Sequence, residues 1–196
     1  MKNALTLYKI ISILPACLFS NHLALSDEAV RYNIDTAHSS VEFSIRHFVA
    51  KTNGNFSEFK GFIDVDIDHP EENYAEASIS IPSIDTNSDK RDAHLQEDDY
   101  FNSSEYPLIT FKSTKWETTE RENTYLVYGD LTMNNITHNI SMDVELLGMG
   151  PGMHGRYLSG WEGKTIIDRT DWSINGGIGA VGETVEITIN IEAIRE

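Results

Sequence analysis

An all-β fold is what this sequence predicts: an antiparallel barrel of eight strands with one long loop carrying a short helix. Three observations predict it. Apolar and polar residues alternate at period two after residue 38, with no long stretch of helical period; the alternating runs number eight; and turn-like stretches such as Asp68-His69-Pro70 and Asn134-Asn135 separate most of them. Eight strands close a barrel around side chains or one small ligand.

The first run sets Val41, Phe43, Ile45 and His47 on one face against Ser40, Glu42, Ser44 and Arg46 on the other. The second sets Phe59, Gly61, Ile63, Val65 and Ile67 against Lys60, Asp64 and Asp66, and the third sets Ala75, Ala77, Ile79 and Ile81 against Glu76, Ser78 and Ser80. Ile109 with Phe111 marks the fourth, Tyr125, Val127 and Leu131 the fifth, and Ile140, Met142, Val144 and Leu146 the sixth. Tyr157, Trp161, Thr165 and Ile167 form the seventh, and Val185, Ile187, Ile189 and Ile191 the eighth. Strands of about ten residues, at ~3.3 Å per residue and ~40° tilt, give a barrel roughly 25 Å tall. Small inward residues (Gly61, Ala75, Ala77, Ser159, Gly163) stand beside large ones and leave room for a cavity. A sandwich, or a barrel with a solid core, fits the same periodicity. The connection from Ser83 to Tyr106 is too long for a plain turn. Within it Ser88 or Asp89 caps a short helix that carries Arg91, His94 and Leu95 on one face, expected to lie across one end of the barrel.

The 196 residues suit one folded domain. Residues 1–26 read as a signal peptide: Lys2 and Lys9 flank a basic segment, Ile10 to Phe19 is apolar, and Ala24 and Ser26 set cleavage after Ser26. That leaves 27–196 as a soluble barrel domain, periplasmic or secreted. The apolar run is short of the ~20 residues that cross a bilayer, so no membrane span is expected. The net charge is −16, and both lysines but no acids lie within the first 26 residues, so the exported domain carries −18. Such charge argues against nucleic acid or an anionic membrane surface as partner. The single cysteine, Cys17, lies in the signal segment, which excludes disulfide and thiol chemistry in the domain; Leu14-Pro15-Ala16-Cys17 leaves lipidation open as an alternative.

Motifs with chemical content are few. Gly177-x-Gly179-x-x-Gly182 matches a dinucleotide fingerprint in letters, but the residues that follow alternate as a strand where a helix is required, so it reads as a glycine-rich barrel rim. The six histidines beyond residue 26 show no zinc-site spacing, and no Gly-x-Ser-x-Gly elbow occurs, so neither a metal nor catalysis is expected. Arg91, Asp92 and His94 have two readings: they fasten the long loop, or they hold the polar head of a ligand at a cavity mouth.

In order along the chain, Ile34-Asp35-x-x-His38-Ser39-x-Val41-x-Phe43, Gly54-x-Phe56-x-x-Phe59-x-Gly61 and Ser83-Ile84-Asp85-Thr86-Asn87 with Arg91-Asp92-x-His94-Leu95 resemble the YceI family. The likeness continues through Tyr106-Pro107-x-Ile109-Thr110-Phe111, Gly129-Asp130-Leu131-Thr132, Asp168-Arg169-x-Asp171-Trp172 and Val181-Gly182-Glu183-x-Val185. The segment Gly148 to Gly155 and the turn Asn134 to Asn139 depart from the usual pattern, which puts the shape of the mouth in question. The resemblance implies a lipocalin-like barrel, exported by bacteria, whose elongated apolar cavity takes a polyisoprenoid lipid such as a prenyl quinone or its precursor. No other cofactor is implied.

The expectation is therefore a non-enzymatic carrier of an isoprenoid or similar long-chain amphiphilic lipid. Val41, Phe43, Ile45, Ile109, Phe111, Ile140, Met142, Val144 and Trp161 are its cavity wall, and Arg91, Asp92 and His94 its mouth. A homodimer is a possible assembly. The alternative is a stress-related barrel acting through protein partners with no lipid bound. An enzyme acting on a lipid inside the barrel would need a titratable pair such as His47 with Arg91 or His94.

Overall fold

The computed structural model describes residues 29–196; the expected signal peptide, its cleavage site and Cys17 lie outside the described residues. In chain order the strands are β1 (Val30–Ile34), β2 (Ser40–His47), β3 (Ala50–Phe56), β4 (Phe59–Val65), β5 (Tyr74–Ser80) and β6 (Ile84–Asp85). Helix α1 (Asp89–Leu95) follows, then β7 (Leu108–Thr118), β8 (Thr124–Met133), β9 (Ile136–Pro151), β10 (Tyr157–Asp168) and β11 (Val181–Arg195).

Every pairing is antiparallel, and the order β1-β4-β5-β7-β8-β9-β10-β11 returns to β1, which closes a barrel of eight staves. The first three staves are each broken in two. β11 pairs with β2 along Val181 to Asn190 and with β1 along Ala193 to Arg195, so β1 and β2 are two halves of one stave. β3 and β4 face those halves in turn, and a 3-10 turn at Ile81–Ser83 separates β5 from β6.

Each predicted run falls in a separate stave, and β1, β3 and β6 are additions. β3 contains Asn53-Gly54-Asn55, turn residues by composition, yet it pairs residue for residue with β2. Gly54 lies opposite Phe43, whose ring occupies the space above it: a Cβ there would sit 2.4 Å from Phe43 Cζ. The strand needs glycine for close approach, not for a turn. Ile67, expected inward, is 67% exposed because β4 stops at Val65. The Asp66 carboxylate accepts from the Asp68 and His69 amides and turns the chain outward, while the Asp66 amide donates to Asn73. Tyr157, also expected inward, is exposed at the start of β10. The β8–β9 hairpin uses Asn134 and Asn135 at positive φ, the geometry of a tight type I′ turn.

Two apolar clusters fill the ends of the barrel. One gathers Tyr32, Ile63, Val65, Trp116, Tyr125, Val127, Trp161 and Ala193. The other joins Phe56, Ile81 and Ile84 to Trp172, Ile174 and Tyr100. The long loop crosses the second end, as its length predicts: Leu95 and Phe101 pack on that cluster, and the Asp99 carbonyl accepts from the amides of Asn175 and Gly176.

A short polar seam fixes the break between β1 and β2. The Ser39 hydroxyl donates to the Asp35 carbonyl (2.7 Å) and accepts from the Glu192 amide (3.0 Å), while the Asp35 amide donates to the Glu192 carbonyl (2.8 Å). Ser39→Ala leaves the Glu192 amide without its acceptor, and chemical denaturation should show a loss of about 1–2 kcal/mol.

Three aspartates sit in turns that feed them donors. Asp66 is held below the usual carboxylate range first by the His69 amide, Asp35 first by the His38 side chain, and Asp168 first by the Thr170 hydroxyl. A depressed folded-state pKa stabilises the fold above the unfolded carboxylate value, near pH 4, and the gain disappears as pH falls through the folded value. The thermal midpoint should therefore drop on acidification below about pH 4. In Asp66→Asn it should start lower at neutral pH and fall less steeply; an equally steep fall would remove Asp66 from the account.

Candidate ligand cavity

Between the two clusters lies a cavity of ≈ 410 Å³, within the range of small-molecule sites. Its wall comes from alternate residues of the staves. Phe43 and Ile45 (β2), Phe59 and Ile63 (β4), Ala75, Ala77 and Ile79 (β5), and Val185, Ile187, Ile189 and Ile191 (β11) all line it. Many of these are only half-buried although they point inward, because the surface they expose faces the cavity.

Of the wall residues expected from sequence, Val41, Phe43, Ile45, Ile109, Phe111, Met142, Val144 and Trp161 line the cavity. Ile140 shares the inward face of β9 but packs into the core cluster at the loop end instead of bordering the space. Small residues keep room where the strands come close. Ala77 lies between Gly61 and Phe111 in register, and Gly163 faces Met142, whose sulfur would lie 2.8 Å from an added Cβ.

The floor is aromatic. Trp116 meets Trp161 edge-on at 5.9 Å and Tyr125 at 5.6 Å, and all three are buried. The Trp161 indole N–H donates to Ser159 Oγ, whereas that of Trp116 has no acceptor among the described residues. Trp116 was hidden from the alternation pattern. A register shift between Ser113 and Lys115 marks a β-bulge, which reverses the inward parity set by Ile109 and Phe111 and turns an even-numbered residue inward.

Polar side chains gather at the opposite end, where His47, Thr52, Thr86, Arg91, His94, Tyr100 and Arg169 line the cavity. His47, Arg91 and His94 are also exposed, so the cavity reaches solvent here. Arg91 binds inward to its own loop: Nε donates to Thr86 Oγ1 (2.7 Å) and Nη2 to the Thr86 carbonyl (2.6 Å). Asp92 does not border the cavity; its Oδ1 accepts from the Thr86 amide and hydroxyl and pins the entry to α1. Arg91 and His94 thus reach the mouth together, and Asp92 serves the loop.

Sequence reasoning missed Arg169 and Tyr100 as polar contributors. Arg169 is 4% exposed, and its guanidinium donates to the carbonyls of Gly182 (2.8 Å), Ile174 (2.5 Å) and Val181 (3.4 Å), with no carboxylate partner among the described residues. It ties both ends of the glycine-rich segment to the barrel. In that segment Gly177 and Gly179 take positive φ and β11 follows directly, so no helix N-terminus is available for a pyrophosphate. Tyr100 is 8% exposed, its ring packs on Gly176, and its hydroxyl has no protein partner among the described residues. Burial pushes its phenol up, so it is a neutral donor at physiological pH. Only the Asp168-Arg169 part of the family pattern pointed to this corner; Tyr100 carried no signal beyond its place in the long loop.

Fold and cavity define a lipocalin-like class of protein: a closed eight-stranded antiparallel barrel enclosing an apolar cavity with polar groups at its open end. The YceI-like domain model matches residues 32–193, and the chain belongs to that family. A UPF0312 protein of Photorhabdus laumondii is 35% identical over 176 residues, covering 88% of this chain and 91% of the relative. A UPF0312 protein of Ectopseudomonas mendocina is 34% identical over 171 residues, covering 86% and 89%. Among solved structures, the Campylobacter jejuni YCEI protein superposes with TM-score 0.68 at 27% identity, covering 77% of this chain and 90% of that one. Burkholderia cenocepacia BcnA shares the fold with TM-score 0.75 at 21% identity, covering 82% and 99%. So does a domain from Saccharophagus degradans described as polyisoprenoid binding, with TM-score 0.67 at 14% identity, covering 86% and 99%. No helix among the described residues is long and apolar enough to cross a membrane.

Proposed function

We propose that the barrel binds and carries a polyisoprenoid or similar long-chain amphiphilic lipid in the periplasm, without catalysing its conversion. The observation that carries this reading is the asymmetry of the cavity: a largely apolar wall and an aromatic floor, with histidine, arginine and tyrosine side chains gathered at the open end. A prenyl chain offers no hydrogen-bonding group, so its affinity comes from burial at about 0.8 kcal/mol per CH₂, less the cost of ordering the chain. The head group then meets Tyr100, whose hydroxyl is free, with Arg91, His94 and Arg169 beside it. A quinone or phosphate oxygen supplies the acceptor that the Tyr100 hydroxyl lacks. Similarity to a domain described as polyisoprenoid binding supports the ligand class.

Purified protein extracted with organic solvent should yield a stoichiometric prenyl lipid by mass spectrometry. A clean extract from folded protein that also refuses added prenyl quinone would overturn the carrier reading and favour action through a protein partner. Ala77→Trp places a large ring in the middle of the cavity. It should lower lipid occupancy several-fold while leaving the circular dichroism of the barrel unchanged, and unaltered occupancy would remove this wall from the site.

A further inference from the structure

Three large apolar side chains stand exposed on two loops at the open end. Phe48 (63% exposed) and Val49 (93%) form the tip of the β2–β3 hairpin, and Ile178 (58%) lies in the glycine-rich segment before β11. The two loops are joined: the Phe48 amide donates to the Ala180 carbonyl (2.9 Å). Phe48 holds φ of 47°, a region bulky residues seldom adopt, and Arg46 Nε fixes its carbonyl at 3.0 Å. This tip is therefore held in place with its apolar residues outward.

The patch is continuous with the cavity. The Phe48 ring meets the His47 imidazole edge-on at 4.7 Å, and Ile178 bridges to Val181; His47 and Val181 both line the cavity. The other flank of the mouth is acidic, with Glu97, Asp98 and Asp99 exposed after α1 and the Asp99 backbone bonded to the glycine-rich segment. A chain of net charge −16 is repelled by an anionic surface, so adhesion at this rim must come from apolar insertion. A prenyl lipid stays in a bilayer because leaving it for water exposes its whole tail.

We propose that Phe48, Val49 and Ile178 form a lip that enters the surface of a bilayer of low net charge, so that lipid moves between bilayer and cavity without crossing water. The proposal rests on the lipid-carrier reading and adds a docking face to it.

The test uses purified protein with phosphatidylcholine vesicles, read by co-sedimentation and by transfer of a fluorescent prenyl probe from the vesicles. Uptake of the same probe diluted from ethanol reads the cavity alone. Phe48→Ser/Val49→Ser/Ile178→Ser should weaken vesicle binding and slow transfer at least about tenfold, with ethanol uptake unchanged. Leu147→Ser/Met153→Ser removes apolar side chains that are equally exposed, 62% and 81%, but lie on the β9–β10 hairpin beyond the aromatic floor; it should change neither reading. Enriching the vesicles in phosphatidylglycerol should weaken binding. Unchanged binding and transfer in the triple variant, stronger binding to anionic vesicles, or transfer only with an added protein acceptor would each overturn the lip. Lost ethanol uptake in wild type would sink the carrier reading instead, with vesicle adhesion still reporting on the lip by itself.

Discussion

Closure of the ring depends on β11 changing partners. Its first two-thirds run against β2 and its last residues against β1, and the exchange happens where Ser39, Asp35 and Glu192 share hydrogen bonds. Were β11 paired with β2 alone, β1 would leave an open edge, and an open edge costs unpaired amides and invites other chains. The family-like sequence Asp35-x-x-His38-Ser39 is in this sense a joint. It bends one stave so that a short first half and a longer second half both find partners.

The cavity persists because the wall is a hydrogen-bonded ladder. Interiors normally close on empty space at the expense of side-chain and backbone shifts, but strands locked on both sides cannot move inward independently. Volume removed at Ala75 and Ala77 is therefore kept as space, while the room beside Gly61 and Gly163 is taken by the β5 backbone and the Met142 sulfur, and Phe43 and Phe111 lie over Gly54 and Gly129. The floor is filled by three mutually tilted aromatic rings, and the loop of α1 covers part of the other end. The same ladder thus sets both the height of the space and which end is open.

How much of this was legible follows from how each residue signals itself. Inward faces of β2, β5, β9 and β11 read correctly because pairing is regular over the runs that were read, the irregularities of β9 and β11 falling beyond Leu146 and before Val185. Alternation misled where the backbone departs from ideal pairing. The bulge in β7 hid Trp116, the Asx turn at Asp66 put Ile67 in solvent, and β3 shows no apolar alternation across Asn53-Gly54-Asn55, where the aromatic partner that covers Gly54 is distant in sequence. Polar residues at the mouth were legible only as a helix face. Arg91, Asp92 and His94 are close in sequence, but whether each reaches the cavity depends on Thr86, which engages Arg91 and Asp92 differently. Arg169 and Tyr100 come from opposite sides of the barrel, and no local pattern links residues brought together by closure.

The direction in which an amphiphile sits follows from the same asymmetry. At the floor the indole N–H of Trp116 is buried and without an acceptor among the described residues. A head group placed there would lose its water without gaining partners, at roughly 2–7 kcal/mol for each neutral polar group. At the mouth the Tyr100 hydroxyl has no protein partner among the described residues, and solvent is close. Even the low end of that range exceeds the 1.4 kcal/mol that makes a tenfold preference, so one polar group is enough to orient a lipid tail-first. Tail length then matters little to direction, and a largely apolar wall, where the Thr165 hydroxyl already donates to the Ser141 carbonyl, imposes no further choice among tails. Selection falls to the few side chains at the open end.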